Sequence, residues 1–86
     1  MWYYGSMSRD DKLLRKMRQS PRNIRFSELD GFLRRQGFKR RQPRKGGSHY
    51  FYSREDGVRF TIVMPHGDQK TVDPAAIDEV LEQLDL

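Results

Sequence analysis

The run Lys45-Gly46-Gly47-Ser48-His49 brings together groups that can hold a phosphodiester and move a proton beside it. Paired glycines let the backbone approach a phosphate closely and expose its N–H donors. Arg44 and Lys45 add positive charge, with Arg41 just upstream, and cationic side chains are natural phosphate ligands. Ser48 can donate a further hydrogen bond. His49 can exchange a proton near neutrality, because an unperturbed imidazole has a pKa of about 6.5. Each part also has a plain structural role: Gly-Gly as a hairpin turn, a strand histidine as a surface residue. His66, the only other histidine, stands in the turn-like Pro65-His66-Gly67. It is a candidate for the complementary acid or base, or simply a turn residue.

Tyr50-Phe51-Tyr52 follows directly. Aromatic residues of this kind serve as strand and core residues or as platforms for base stacking. With a strand period of two, His49 and Phe51 share one face and Tyr50 and Tyr52 the other. The sequence leaves open which face meets the rest of the fold.

Charge is distributed unevenly around this segment. From Arg9 to Lys45 there are 14 Lys or Arg against 4 Asp or Glu, a net +10. From Gly46 to Leu86 there are 3 against 8, a net −5. A basic half of that density attracts polyanions through counterion release. The absence of cysteine excludes disulfides and thiolate metal sites. No apolar run approaches the ~20 residues of a membrane span, and no signal peptide is evident. A cytoplasmic protein without membrane, metal or small-molecule cofactor is the expectation. Glu55 and Asp56 belong to a turn and Asp68 stands alone, which argues against a two-metal nuclease.

The elements that must position these residues are legible from capping and periodicity. At 86 residues the chain suits one core. Residues 1–7 read as an N-terminal extension or tag, expected to be disordered, and residues 8–86 as one domain. Ser8-Arg9-Asp10-Asp11 has capping-box spacing, with Leu13, Leu14 and Met17 on one helical face and a stop at Ser20-Pro21. Ile24 and Phe26 read as an extended link. Ser27 to Asp30 repeats the capping pattern, with Leu29, Phe32 and Leu33 forming an apolar stripe. Gly37 and Phe38 supply a left-handed helix end and its hydrophobic contact. Three strands follow: Phe38 to Gln42, Ser48 to Ser53, and an alternating run through Val58, Phe60, Ile62 and Met64. Glu55-Asp56-Gly57 is the hairpin turn between the last two. Asp73-Pro74 opens a final helix lined by Ile77, Val80, Leu81 and Leu84. The order α-α-β-β-β-α implies a two-layer α+β sandwich, with helices covering one face of an antiparallel sheet. This is the layout of double-stranded-RNA-binding domains with an extra helix in front.

Several segments together resemble HicA-type toxins, the YcfA-like family. Ile24-Arg25-Phe26-Ser27-Glu28-Leu29 through Leu33-Arg34-Arg35-Gln36-Gly37-Phe38 resembles the family's opening. Lys45-Gly46-Gly47-Ser48-His49 is similar to its Lys-Gly-Ser-His segment, and Tyr50-Phe51-Tyr52 to the aromatic strand after it. Ile62 to Gly67 and Val72 to Ile77 resemble its third strand, loop and closing helix. The likeness spans roughly residues 12 to 84, and its specificity lies in the combination. The chain departs from the family where Tyr50 replaces a second histidine found in many members, and where Gly46 lengthens the loop. The resemblance implies a metal-independent mRNA interferase on a double-stranded-RNA-binding-type fold, with His49 as its catalytic histidine. It also implies neutralisation by a HicB-type antitoxin.

Two other readings remain compatible with the residues themselves. One is a non-catalytic RNA-binding module that uses the same basic loop. The other is an interaction protein whose basic face docks an acidic partner.

Overall fold

The computed structural model describes residues 9–42, 44 and 46–86. The expected N-terminal extension, the Ser8 cap, Pro43 and the predicted phosphate ligand Lys45 lie outside the described residues. The elements are α1 (Arg9–Gln19), a 3-10 turn (Pro21–Asn23), α2 (Phe26–Arg35), β1 (Lys39–Arg41), β2 (His49–Ser53), β3 (Arg59–Val63) and α3 (Pro74–Gln83). The strands form one antiparallel sheet in the order β1-β2-β3. This is the α+β sandwich expected from the order of elements.

One face of the sheet carries the core. Tyr52, Phe60 and Ile62 point inward from β2 and β3 to meet Met17, Leu29, Phe32, Leu33, Ile77 and Val80 of the helices. Burying side chains of this size contributes about 1.5–3 kcal/mol each relative to exposure. On α1, Leu13 and Met17 stand four residues apart and are both buried, while Lys12, Arg15 and Arg18 remain exposed. That spacing places one apolar stripe against the core and leaves the cations outside. Lys16 to Glu28 (3.1 Å) and Arg35 to Asp10 (2.7 Å) fasten α1 to α2. Both pairs are solvent-accessible, so each contributes roughly 1 kcal/mol or less.

The start of α2 differs from its expected position. Phe26, not a residue after Ser27, opens the helix, and Arg25 is the extended residue before it. The reason is partly local: Arg25 N–H donates to Glu28 Oε1 at 2.9 Å, so Glu28 satisfies the helix start one turn earlier. It is also tertiary, because Phe26 packs on Tyr50 with ring centroids 5.1 Å apart. Ile24 keeps the extended backbone expected of it and is fully buried. Its carbonyl accepts from Val72 N–H at 2.9 Å, and Arg25 bridges to Thr71.

The end of α2 follows the reading of Gly37. Phe38 N–H reaches Leu33 O and Gly37 N–H reaches Arg34 O, both at 3.0 Å, with Gly37 at φ +94°. These are the crossed bonds of a Schellman ending. Asp73 caps α3 by accepting from Ala75 N–H at 2.9 Å, with Pro74 in the first turn. No helix among the described residues is long and apolar enough to cross a membrane.

Candidate nucleic-acid interface

The structure decides which face of β2 is buried. Tyr50 and Tyr52 turn toward the helices, and His49, Phe51 and Ser53 turn outward. Asp30 on α2 anchors this choice. Tyr52 donates its hydroxyl to Asp30 Oδ1 at 2.7 Å, and Arg40 Nη1 donates to the same oxygen at 3.1 Å. Arg34 approaches the other carboxylate oxygen at 3.4 Å. Arg40 also lies over the Tyr50 ring, 5.2 Å from its centroid, a cation–π contact. Burial pushes the Tyr52 phenol well above the usual tyrosine range, and the Asp30 carboxylate pushes it the same way. Helix α2 is thereby tied to β1 and β2, with two tyrosines between them.

The outward face then follows from register. His49 lies opposite Val63, Phe51 opposite both Arg41 and Thr61, and Ser53 opposite both Lys39 and Arg59. The outward positions of the three strands therefore hold three cations and a histidine, and no carboxylate. Lys39, Arg41 and Arg59 form no ion pair among the described residues, whereas inward-facing Arg40 is held by Asp30. The cationic face is thus free to meet an external anion.

At one end of this face the β1–β2 loop turns on Gly46 at φ +76° and Gly47 at φ +105°. A Cβ added to either would meet nothing within 4 Å. Backbone dihedral, not crowding, calls for glycine here, and the loop surface stays open to a ligand. Gln42 Nε2 donates to Gly47 O at 3.4 Å, and Met64 N–H donates to Ser48 O at 2.7 Å. These bonds fix the loop's return to the end of β3.

His49 is exposed and its imidazole is hydrogen-bonded to no described residue, so no described side chain orients the ring. Arg41 and Arg44 are exposed, while Gly46 and Ser48 are half-buried. The predicted site residues Arg41, Gly46, Gly47, Ser48 and His49 therefore lie together along β1, its loop and the start of β2. Arg44 sits in the intervening turn. His66 lies three residues beyond Val63, at the same end of the sheet. It lines a cavity of about 360 Å³ between β3 and α3, together with Val63, Thr71 and Glu79. His49 does not line that cavity. Among the described residues no group of three or more His, Asp or Glu is arranged to hold a metal ion.

Sequence reasoning left Phe51 open between core and stacking roles and did not assign Lys39, Arg59 or Thr61 to the site. Their shared face could be read from period-two alternation only once the buried side was known. The Asp30 contacts that determine it span 22 residues to Tyr52 and 10 to Arg40, beyond any local signal.

No curated protein and no solved structure matches the chain. A family model does, and its description is the HicA toxin of bacterial toxin-antitoxin systems. The match runs over residues 26–86, from the start of α2 through the glycine loop and His49 to the last residue. The chain therefore belongs to the HicA toxin family, the toxin side of a toxin–antitoxin pair.

Proposed function

We propose that this toxin is a metal-independent endoribonuclease acting on mRNA, with His49 as its proton-transfer group. The observation that carries the reading is the placement of an exposed histidine at the head of the central strand. It stands beside a glycine loop and on a face that offers cations and no carboxylate.

The chemistry is transesterification within the RNA strand. A ribose 2′-oxygen attacks the adjacent phosphorus as the bond from phosphorus to the 5′-oxygen breaks. His49 acts as base toward the 2′-hydroxyl proton or as acid toward the leaving 5′-oxygen. The other proton transfer falls to water or to His66. The products are a 2′,3′-cyclic phosphate and a 5′-hydroxyl. Arg44, Lys45 and the amides around Gly46 and Gly47 balance charge on the phosphate, with Arg41 and Ser48 as further ligands. A positioned proton-transfer group supplies about 10²–10⁴-fold in rate. A HicB-type antitoxin would restrain the enzyme by covering the same basic surface.

The test is single-strand RNA cleavage in the presence of EDTA. Wild-type protein is expected to yield cyclic-phosphate ends, and His49→Ala to lose cleavage while keeping RNA affinity. Intact RNA with wild-type protein, or equal cleavage by the variant, would refute the reading. RNA binding without cleavage is the second reading. It is favoured by the lack of any described partner that orients the His49 ring.

A further inference from the structure

We infer that Phe51 is a stacking platform for an unpaired base next to the reacting phosphate, so that the site selects single-stranded RNA. This rests on the RNA-directed reading above and adds the form of substrate it takes. Phe51 occupies the middle of the central strand, yet its side chain is 42% exposed. Its ring lies on the outward face, where no described aromatic ring packs against it.

The surroundings of Phe51 suit a nucleotide. Arg41 flanks it on β1 and Thr61 on β3, each directly opposite in register. Arg59 joins them in lining a concavity of about 710 Å³. Arg41 and Arg59 have no carboxylate partner among the described residues. An aromatic surface flanked by free guanidinium groups matches a base between its phosphates. The Thr61 hydroxyl can donate to or accept from a base edge or a ribose. An acidic protein could satisfy the cations and pack on the ring as well, and the abasic-strand and association measurements below separate that occupant from a base.

Position ties the platform to the proposed chemistry. His49 and Phe51 are two residues apart on the same strand face, a separation of about 7 Å. A base stacked on Phe51 thus leaves its own or the neighbouring phosphate within reach of His49. Inside a duplex both faces of each base are already stacked and cannot receive the ring. Discrimination against duplex follows from this geometry.

Fluorescence anisotropy with the full-length protein tests the inference, using fully 2′-O-methylated RNA, which lacks the nucleophile and is not cut. Wild-type protein is expected to bind the single strand more tightly than the same sequence as a duplex. Phe51→Leu should weaken single-strand binding roughly 5- to 150-fold, and Phe51→Trp should retain it. The loss should vanish on a strand with abasic sites, while the salt dependence of Phe51→Leu stays that of wild type. Arg41→Ala should instead lower the magnitude of the salt slope by about 0.7, the share of one phosphate. Circular dichroism would show that Phe51→Leu remains folded.

Equal affinity of Phe51→Leu and wild type would overturn the platform, as would an identical loss on the abasic strand. So would a Phe51→Leu variant that keeps RNA affinity but loses association with a second copy or a protein inhibitor. Failure of wild-type protein to bind any RNA at low salt would overturn both this inference and the reading beneath it. Binding without cleavage of unmodified RNA would remove only the nuclease activity.

Discussion

Removing the Tyr52 hydroxyl, with the ring retained, isolates the contact that holds the central strand against α2. Tyr52 is 1% exposed and donates to Asp30 at 2.7 Å. A hydrogen bond to a charged acceptor contributes about 1.5–3 kcal/mol. Asp30 keeps Arg40 at 3.1 Å and Arg34 at 3.4 Å, so Tyr52→Phe does not leave it without a partner. A cost of about 2 kcal/mol, toward the lower end, is expected near neutral pH. For a chain of this length that corresponds to a fall in Tm of about 8–16 °C. The pH dependence provides a sharper test. Burial and Asp30 raise the native phenol above its ordinary range, whereas an unfolded tyrosine ionises near pH ~10. Below that pH both states are protonated, and the contribution is complete. Above it the unfolded state loses a proton that the native state retains, so stability falls as pH rises. The wild-type advantage over Tyr52→Phe should therefore shrink by about 1.4 kcal/mol per pH unit above ~10. Urea unfolding of both proteins, followed by circular dichroism from about pH 8 to 11, reads this directly. A gap below about 0.5 kcal/mol at pH 8, or one that stays flat to pH 11, would refute the reasoning.

Met17 lies before the span matched by the family model but is 0% exposed in the core. Met17→Ala should cost about 2–5 kcal/mol in urea unfolding, and a loss below about 1 kcal/mol would show that α1 does not share the core. Gly47→Ala should destabilise by about 1–3 kcal/mol through backbone strain alone, since its new Cβ meets nothing within 4 Å. A semisynthetic protein with D-alanine at that position should unfold like wild type, because D-residues accept positive φ; equal loss with both enantiomers would refute a dihedral cause.

Features with a local cause were legible in the sequence. Asp73-Pro74 announced α3, and Gly37-Phe38 announced the end of α2, because capping involves groups only a few residues apart. The alternation through Phe60 and Ile62 identified the buried face of β3. The start of α2 was displaced because Phe26 finds its partner in Tyr50, far along the chain. The 3-10 turn at Pro21–Asn23 lacked a sequence signal beyond the proline that ends α1. His49 stood out because its neighbours carry glycine and positive charge. Phe51 did not, because two interleaved sets of aromatic and imidazole side chains satisfy strand alternation equally well. Asp30 breaks that degeneracy, and only a folded chain brings it there.

The first strand has a consequence for solubility. Among the described residues β1 pairs with β2 on one side alone, and no described strand meets the backbone donors and acceptors of its other edge. Such an edge invites pairing with another chain, and Lys39-Arg40-Arg41 places a positive charge at every position along it. Two copies meeting edge to edge would bring these charges together. Replacing Lys39 and Arg41 to test the proposed RNA binding would therefore also remove a barrier to self-association. The cations of the proposed RNA-binding face and the charges that guard this edge are the same side chains.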